Sequence, residues 1–238
     1  MRSEFRIIEE TADYLVVDKP PLLLMHPTKP DGPRTLWGEL RGLLAYEIAN
    51  GGQVSLVNRL DRETSGIVLV AKTAATARAA GLLMQNRCIT KEYLAIVSGW
   101  PEWETTTVSA PLLRQGEIAS SKIYLKQTID ARGVAAVTDF EVVRRHRTLM
   151  TLVKARPRTG RTHQIRVHLA SLGHSIIGDK IYGPDENLYL RFIETGWTDE
   201  LARLLRHRRH ALHASRLALD ENRAWESPLP DDLRQLIE

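Results

Sequence analysis

The chain has 238 residues, 43% of them apolar, which suits one large globular unit with a sizeable core. A single cysteine, Cys88, excludes an intramolecular disulfide and fits a reducing compartment; its apolar setting predicts a buried thiol. The formal charge is only +4, so its distribution matters more than its size. Between Glu141 and Asp179 there is no acidic residue, against eight Lys or Arg: Arg144, Arg145, Arg147, Lys154, Arg156, Arg158, Arg161 and Arg166. A second basic cluster spans Arg203 to Arg216. Such stretches suit a polyanion, most simply nucleic acid, unless the fold brings acids alongside. The N-terminal stretch MRSEFRIIEETADY is too charged for a signal peptide and no apolar run approaches a membrane span, so a cytoplasmic protein is expected.

Residues Phe5–Ile8 and Tyr14–Asp18 read as short strands joined by a polar turn, the second ended by Lys19-Pro20-Pro21. Thr28–Arg34, with two prolines and a glycine, reads as a surface loop. Thr35 is placed to cap a helix from Leu36 to about Ile48, ended by Asn50-Gly51-Gly52. In SLVNRLDRETSGIVLVAK, Ser55–Lys72, two apolar runs flank a polar knot, the pattern of strand, loop, strand. Asp61 sits in that loop between Arg59 and Arg62, an arrangement that keeps a carboxylate ionised; taken alone it fits a structural ion pair as well as chemistry.

Thr73–Asn86 is an alanine-rich helix and Thr90–Val97 an alternating strand that turns Tyr93 away from Glu92 and Leu94. Val108–Leu113 and Ser121–Lys126 read as a hairpin, with further strands at Val134–Val143 and Thr148–Lys154. A basic Pro/Gly turn, Arg156–Arg161, precedes a helix over His163–Leu172, on which His163 and Arg166 share a face. Helices are expected from Pro184 and from a Thr198 cap, a strand over Leu212–Leu219, and a C-terminal helix over Asp231–Ile237. Strands outnumber helices and many links are hairpin-short. The expected class is α+β with a mixed, largely antiparallel central β-sheet flanked by helices, the chain forming one catalytic unit over residues 1–238.

One carboxylate, one strand aromatic, one arginine on an amphipathic helix and a cationic turn suit covalent or acid–base work on a flipped nucleobase. The motifs carry this further. Asn58-Arg59-Leu60-Asp61-Arg62-Glu63-Thr64-Ser65-Gly66 resembles the HRLDxxTSG pattern of the RluA family of RNA pseudouridine synthases, with Asp61 on the catalytic position. Lys91, Tyr93, Ala95, Val97 and Gly99 match its KxYxAxVxG pattern, Arg161 to His168 match RTHQIRxH, and Gly178-Asp179, Tyr182-Gly183 and Leu212-His213-Ala214 follow in order.

The resemblance implies a pseudouridine-synthase-like catalytic domain with a central RNA-binding cleft. It implies isomerisation of uridine in ribosomal or transfer RNA, without a cofactor and without an obligate protein partner, by a monomer. It casts Asp61, Tyr93 and Arg166 as catalytic: Asp61 acts at the sugar, Tyr93 stacks on the uracil, and Arg166 is the salt-bridge partner of Asp61. Arg59, Arg62, Arg158, Arg161, His163, Gln164 and Leu212 become the substrate-binding set, with Arg62 filling the gap of the flipped base and Leu212 walling its pocket.

The family often carries an N-terminal RNA-binding domain. Here the chain starts at the first catalytic-domain strands, so target choice is expected to come from the catalytic domain. The departure from the pattern is Asn58, where the family usually has His; a hydrogen-bonding but non-titrating residue is expected to change how the loop is held. The histidines form no HExxH and no cysteine pairs accompany them, so no metal site is expected. A non-catalytic RNA-binding protein and a metal-dependent nuclease built on Asp61, Glu63 and the histidines are the rival readings.

Overall fold

The computed structural model of the chain describes residues 5–29 and 31–238; Met1–Glu4 and Pro30, which figure in the N-terminal and loop readings above, lie outside the described residues. In chain order the elements are β1 (Arg6–Glu10), β2 (Tyr14–Lys19), α1 (Leu36–Leu43), α2 (Ala45–Ala49), β3 (Ser55–Leu56), β4 (Ser65–Ala71) and α3 (Ala74–Gln85). Then follow β5 (Thr90–Ser98), β6 (Thr105–Ser109), β7 (Leu112–Arg114), β8 (Gln127–Ile129), β9 (Val137–His146) and β10 (Met150–Pro157). The chain ends with α4 (Gln164–Ser171), α5 (Asn187–Thr195), α6 (Asp199–Leu205), β11 (Leu212–Ala218), β12 (Ala224–Glu226) and α7 (Asp231–Arg234). The class is α+β, with mixed, largely antiparallel β-structure flanked by helices.

The chain divides into two compact units. The first comprises residues up to Lys91 together with His213–Pro228; the second comprises Glu92–Leu212 and Leu229–Glu238. In the first unit β4 is the central strand, and all seven of its residues are buried, which is why it reads SGIVLVA without alternation. One edge of β4 pairs antiparallel with β2 from Tyr14–Ala71 to Lys19–Gly66, and β1 pairs antiparallel with β2. On the other edge β3 pairs antiparallel through Leu56–Val70, and β11 pairs parallel through His213–Ser65 and Ala214–Gly66. Val16, Ile67, Leu69, Ile89, Leu217, Leu219 and Trp225 make its core. In the second unit β5, β10, β9 and β6 form an antiparallel series, with Tyr93 opposite Ala155 and Arg156 opposite Asp139. β7 and β8 form a separate two-stranded ribbon.

The caps act where the sequence places them. Thr35 Oγ1 accepts from Gly38 N at 3.1 Å, Thr73 Oγ1 from Thr76 N at 3.1 Å, and Thr198 Oγ1 from Leu201 N at 3.3 Å. Three expectations are corrected. The helix expected over 36–48 is broken at Leu44, whose φ/ψ of −97°/27° opens the helical turn into α1 and α2. Residues 121–126 are not a strand; the partner of β7 is β8, three residues long, because Ser121 Oγ bonds the Ile123 backbone and turns the chain first. Cys88 is exposed, since Arg87 adopts a left-handed φ of 59° at the end of α3 and directs the next residue outward. β12, a three-residue strand on β11, carries no alternation long enough to be read from sequence.

Gly66 shows how tightly the edge of β4 is packed. Its φ is 115°, and a Cβ there would lie 2.2 Å from the Ala214 carbonyl oxygen across the parallel pair. Gly66→Ala is expected to cost about 3 kcal/mol in urea unfolding, through the strained φ and the displaced strand. Gly81→Ala on α3, where a Cβ meets nothing within 4 Å, is the opposite case and should gain about 0.5–1 kcal/mol.

Candidate active site

The Asp61 loop leaves β3 and returns as β4, and the ties described next lie within the first unit. Where the backbone of β3 departs, Val57 N still donates to Leu69 O at 2.8 Å. The next pair along β4 is made by a side chain. Asn58, 6% exposed, donates Nδ2–H to Ile67 O at 3.0 Å and accepts from Leu69 N at 2.9 Å through Oδ1. A carboxamide offers a donor and an acceptor side by side, so it stands in for a strand residue across these two backbone groups. The loop is held at its far end by Ser65 Oγ against His213 Nδ1, 3.0 Å, while His213 Nε2 meets Ser227 O at 3.1 Å. Because a carbonyl only accepts, Nε2 carries the hydrogen of the Ser227 bond.

Asp61 stands within this frame, and its own carbonyl accepts from Thr64 N at 3.1 Å, closing the turn. Arg62 is exposed, with Nε donating to Leu22 O at 3.3 Å, and its carbonyl accepts from the Lys19 ammonium at 3.2 Å. Lys19 is fully buried and also bonds Pro20 O at 2.8 Å and Leu23 O at 3.0 Å, so one ammonium joins the end of β2 to the loop. Sequence reasoning assigned Lys19 nothing; a lysine before two prolines reads as a surface breaker, and its burial is a tertiary fact. Arg59 is exposed.

The other named residues belong to the second unit. Tyr93 lies on β5, 9% exposed, with the inward-facing Ala95 on the same side of the strand. Arg166 on α4 is 5% exposed and grips Asp179 bidentately, Nε to Oδ2 at 2.7 Å and Nη2 to Oδ1 at 2.9 Å. Asp179 Oδ1 also accepts from Ile181 N and Tyr182 N, each at 3.0 Å. Burial pushes the Asp179 carboxyl up, but the Arg166 charge and these hydrogen bonds outweigh it and hold the acid far below the usual carboxylate range. The Arg166 guanidinium carbon sits 5.0 Å from the centre of the Tyr182 ring. Asp179 and Tyr182 fall in the motif Gly178 to Gly183 but were given no role from sequence; the signal that finds them is contact with Arg166.

His163 does not open the helix as expected. It caps α4 from outside at φ 56°, and its Nδ1 meets the Tyr182 hydroxyl at 2.8 Å. That hydroxyl also accepts from Gln127 N at 2.8 Å. Gln164, expected at the substrate, is 4% exposed and spends its amide on the fold. Its Oε1 accepts from Thr159 Oγ1 at 2.7 Å and Arg161 N at 3.0 Å, and its Nε2 donates to Val137 O and Thr138 Oγ1, each at 2.9 Å. Arg158 is locked to Asp139 by two bonds of 2.7 and 2.8 Å, whereas the exposed Arg161 side chain donates Nε–H to the Ala135 carbonyl at 3.2 Å. Leu212 is buried at the start of β11, its carbonyl 3.4 Å from Arg209 Nη1.

The histidines serve the fold. His168 joins Thr138 Oγ1 at 2.9 Å to Ala110 O at 3.1 Å, and burial lowers its pKa. His174 faces Ser98 O at 2.9 Å and His207 faces Arg209 O at 2.9 Å. Among the described residues no group of three or more His, Cys, Asp or Glu is disposed to hold a metal ion, and no helix is long and apolar enough to cross a membrane.

Comparison with known proteins identifies the family. The family model described as RNA pseudouridylate synthase matches residues 13–171. The ribosomal large subunit pseudouridine synthase D of Pseudomonas aeruginosa is 36% identical over 98% of this chain and 71% of its own length. An uncharacterized RNA pseudouridine synthase of Bacillus subtilis, YlyB, is 33% identical with the same coverage. Among solved structures, human RNA pseudouridylate synthase domain containing 4 matches 96% of this chain and 90% of its own with a TM-score of 0.72 at 25% identity. The human domain containing 1 protein matches 96% of this chain and 84% of its own, TM-score 0.68, 27% identity.

Two substitutions test the supports. Asn58→Ala strips the Ile67 carbonyl and the Leu69 amide of their partner; it is expected to destabilise by about 2–3 kcal/mol and to speed hydrogen exchange at the Leu69 amide. Asp179→Asn is expected to cost about 3–5 kcal/mol at neutral pH. The native Asp179 carboxyl titrates below its unfolded value, so its stabilisation is complete above the ordinary carboxylate pKa near 4 and is lost as pH falls below it. The stability difference between wild type and Asp179→Asn, followed by denaturant unfolding, should therefore shrink on acidification below about pH 4.

Proposed function

The chain belongs to the RNA pseudouridylate synthase family, in its RluA branch, and from that premise we propose how its own residues isomerise uridine to pseudouridine in RNA. The observation that carries the proposal is the Asp61 loop: an acid inside the family's signature, with both ends of its loop tied to β4 and β11. The reaction breaks the bond between N1 of uracil and C1′ of the ribose, turns the base while it stays bound, and joins C5 to C1′. C5 then loses its proton and N1 gains one, so product and substrate have the same atoms. No electron is gained or lost and no group is imported, so the chemistry requires no cofactor.

In this reading Asp61 acts at the ribose, and a rigid loop matters because the carboxylate must meet one sugar position within a fraction of an ångström. Tyr93 stacks on the uracil, its hydroxyl serving proton removal at C5. Arg166 is the partner of Asp61 through guanidinium N–H donors not spent on Asp179, and hydrogen bonding to the charged form favours the ionised acid; its bidentate grip on Asp179 is a reason to expect those donors to be well placed. Arg62 fills the gap of the flipped base with its guanidinium plane, and Leu212 walls the base. Arg59, Arg161 and His163 contact the RNA. Arg158, already neutralised by Asp139, contributes a donor edge rather than net charge. Gln164 holds the Thr159–Arg161 turn in shape beneath the substrate.

The similarity to the ribosomal large subunit pseudouridine synthase D of Pseudomonas aeruginosa makes ribosomal RNA of the large subunit the first target to test. The whole chain is taken as one catalytic unit, acting as a monomer in the cytoplasm. Mapping pseudouridine across total RNA from cells with and without this protein should reveal uridines whose modification depends on it. Asp61→Asn should lower the rate at those positions by on the order of 10³-fold or more while the protein stays folded. Wild-type activity should be indifferent to chelators. A variant that matches the wild-type rate, or an activity lost to a chelator, removes the assignment of Asp61 as the catalytic acid.

A further inference from the structure

The basic run that stands out in the sequence is largely neutralised in the fold. Arg145 pairs with Glu104 at 2.7 Å, Arg156 with Glu141 at 2.9 Å and Glu92 at 3.3 Å, and Lys154 lies within 3.9–4.0 Å of the same two acids. Arg158 pairs with Asp139 and Arg166 with Asp179. The acids come from β5, the connection before β6, β9 and the loop after α4. A paired guanidinium offers little net field to a phosphate.

A different set keeps its charge. Arg203 and Arg206 at the end of α6, Arg208 just beyond it, and Arg147 at the tip of the β9–β10 hairpin are all exposed. Among the described residues no carboxylate lies within ion-pair distance of any of the four. Two nearby acids are engaged elsewhere: Glu200 with Arg191 at 2.8 Å, and Asp232 with Arg209 at 2.7 Å. The two segments are joined, since Arg206 Nη2 donates to the Thr148 carbonyl at 3.0 Å, next to Arg147. Leu149 and Leu204, 56% and 42% exposed, and the Trp197 ring, 6.0 Å from the Arg208 guanidinium carbon, add apolar surface among the charges.

This patch is built on the same support as Arg166. Gly178 N donates to Leu205 O at 3.0 Å and the Lys180 ammonium to Arg208 O at 2.8 Å. A Cβ on Gly178 would lie 2.0 Å from Arg209 O, so the 205–209 segment lies directly on the loop that carries Asp179. We propose that Arg147, Arg203, Arg206 and Arg208 form a docking surface for the phosphate backbone of structured RNA, outside the nucleotide that is modified. The proposal rests on the RNA reading above and adds where the body of the RNA is held. Unpaired arginines on a fixed surface give each phosphate a point of contact without reading its sequence, so this contact sets affinity and orientation and leaves the choice of uridine to other residues.

The test is binding of a fluorescent RNA hairpin across a salt series, beside pseudouridine formation in total RNA. The triple variant Arg203→Gln, Arg206→Gln, Arg208→Gln is expected to flatten the slope of log affinity against log salt by roughly 2 to 3, and to weaken binding at least tenfold near 100 mM salt. Its KM for structured RNA should rise more than its kcat falls. Arg147→Gln, on a hairpin tip where its side chain has no ion pair, should flatten the slope by roughly 1 and covers the case in which the triple variant fails to fold. Arg132→Gln, removing a guanidinium already paired with Asp130, should leave the slope in place. An unchanged slope in folded Arg147→Gln and in the triple variant overturns the docking surface. If wild type shows the patch-dependent slope but forms no pseudouridine, the surface stands and the enzymatic reading fails.

Discussion

A strand buried on both faces and bordered on both edges must have every backbone amide and carbonyl paired, and β4 meets that demand with four different parts of the chain. β2 takes one edge. On the other, β3 covers Ala71 and Val70, Val57 covers the Leu69 carbonyl, the Asn58 amide covers Leu69 N and Ile67 O, and β11 covers Gly66 and Ser65. Asp61 lies on the excursion between two of these contacts. Its loop is thus tied to the most buried strand of its unit at entry and at exit. A side chain completes the ladder where the backbone leaves it for the Asp61 loop.

Asn58 is also where the chain departs from its family pattern. A neutral imidazole has one donor and one acceptor, but they diverge across the ring, whereas the carboxamide directs both toward one strand. Asparagine also carries no charge at any working pH, so the ladder it completes does not titrate. The Asn58 amide therefore holds the Asp61 loop by a contact that does not titrate.

Charge is handled in two ways. Where arginine is buried, as at Arg166, a carboxylate meets it with both oxygens and two further backbone amides stabilise that carboxylate, so the pair is satisfied on every side. Where arginine is exposed on β9 and β10, cross-strand acids such as Glu141 and Asp139 absorb it. At the end of α6 and the β9–β10 tip, among the described residues, four guanidiniums remain together without such acids. That contrast separates arginines that build the protein from those available to a polyanion.

Much was legible in the sequence. Caps at Thr35, Thr73 and Thr198, the unbroken apolar run of β4 and the alternation around Tyr93 follow from local stereochemistry and from burial of one face or two, which act over a few residues. The loop around Asp61 was legible for the same reason, as were the motifs that named its family. What the tertiary structure alone decided are the pairings between distant residues: Asn58 with β4, Arg166 with Asp179, Arg158 with Asp139, Gln164 with Val137 and Thr138, and the burial of Lys19. A hydrogen bond or ion pair depends on position within a few tenths of an ångström, and the spacing of residues along a chain carries no record of which of them the fold will bring that close.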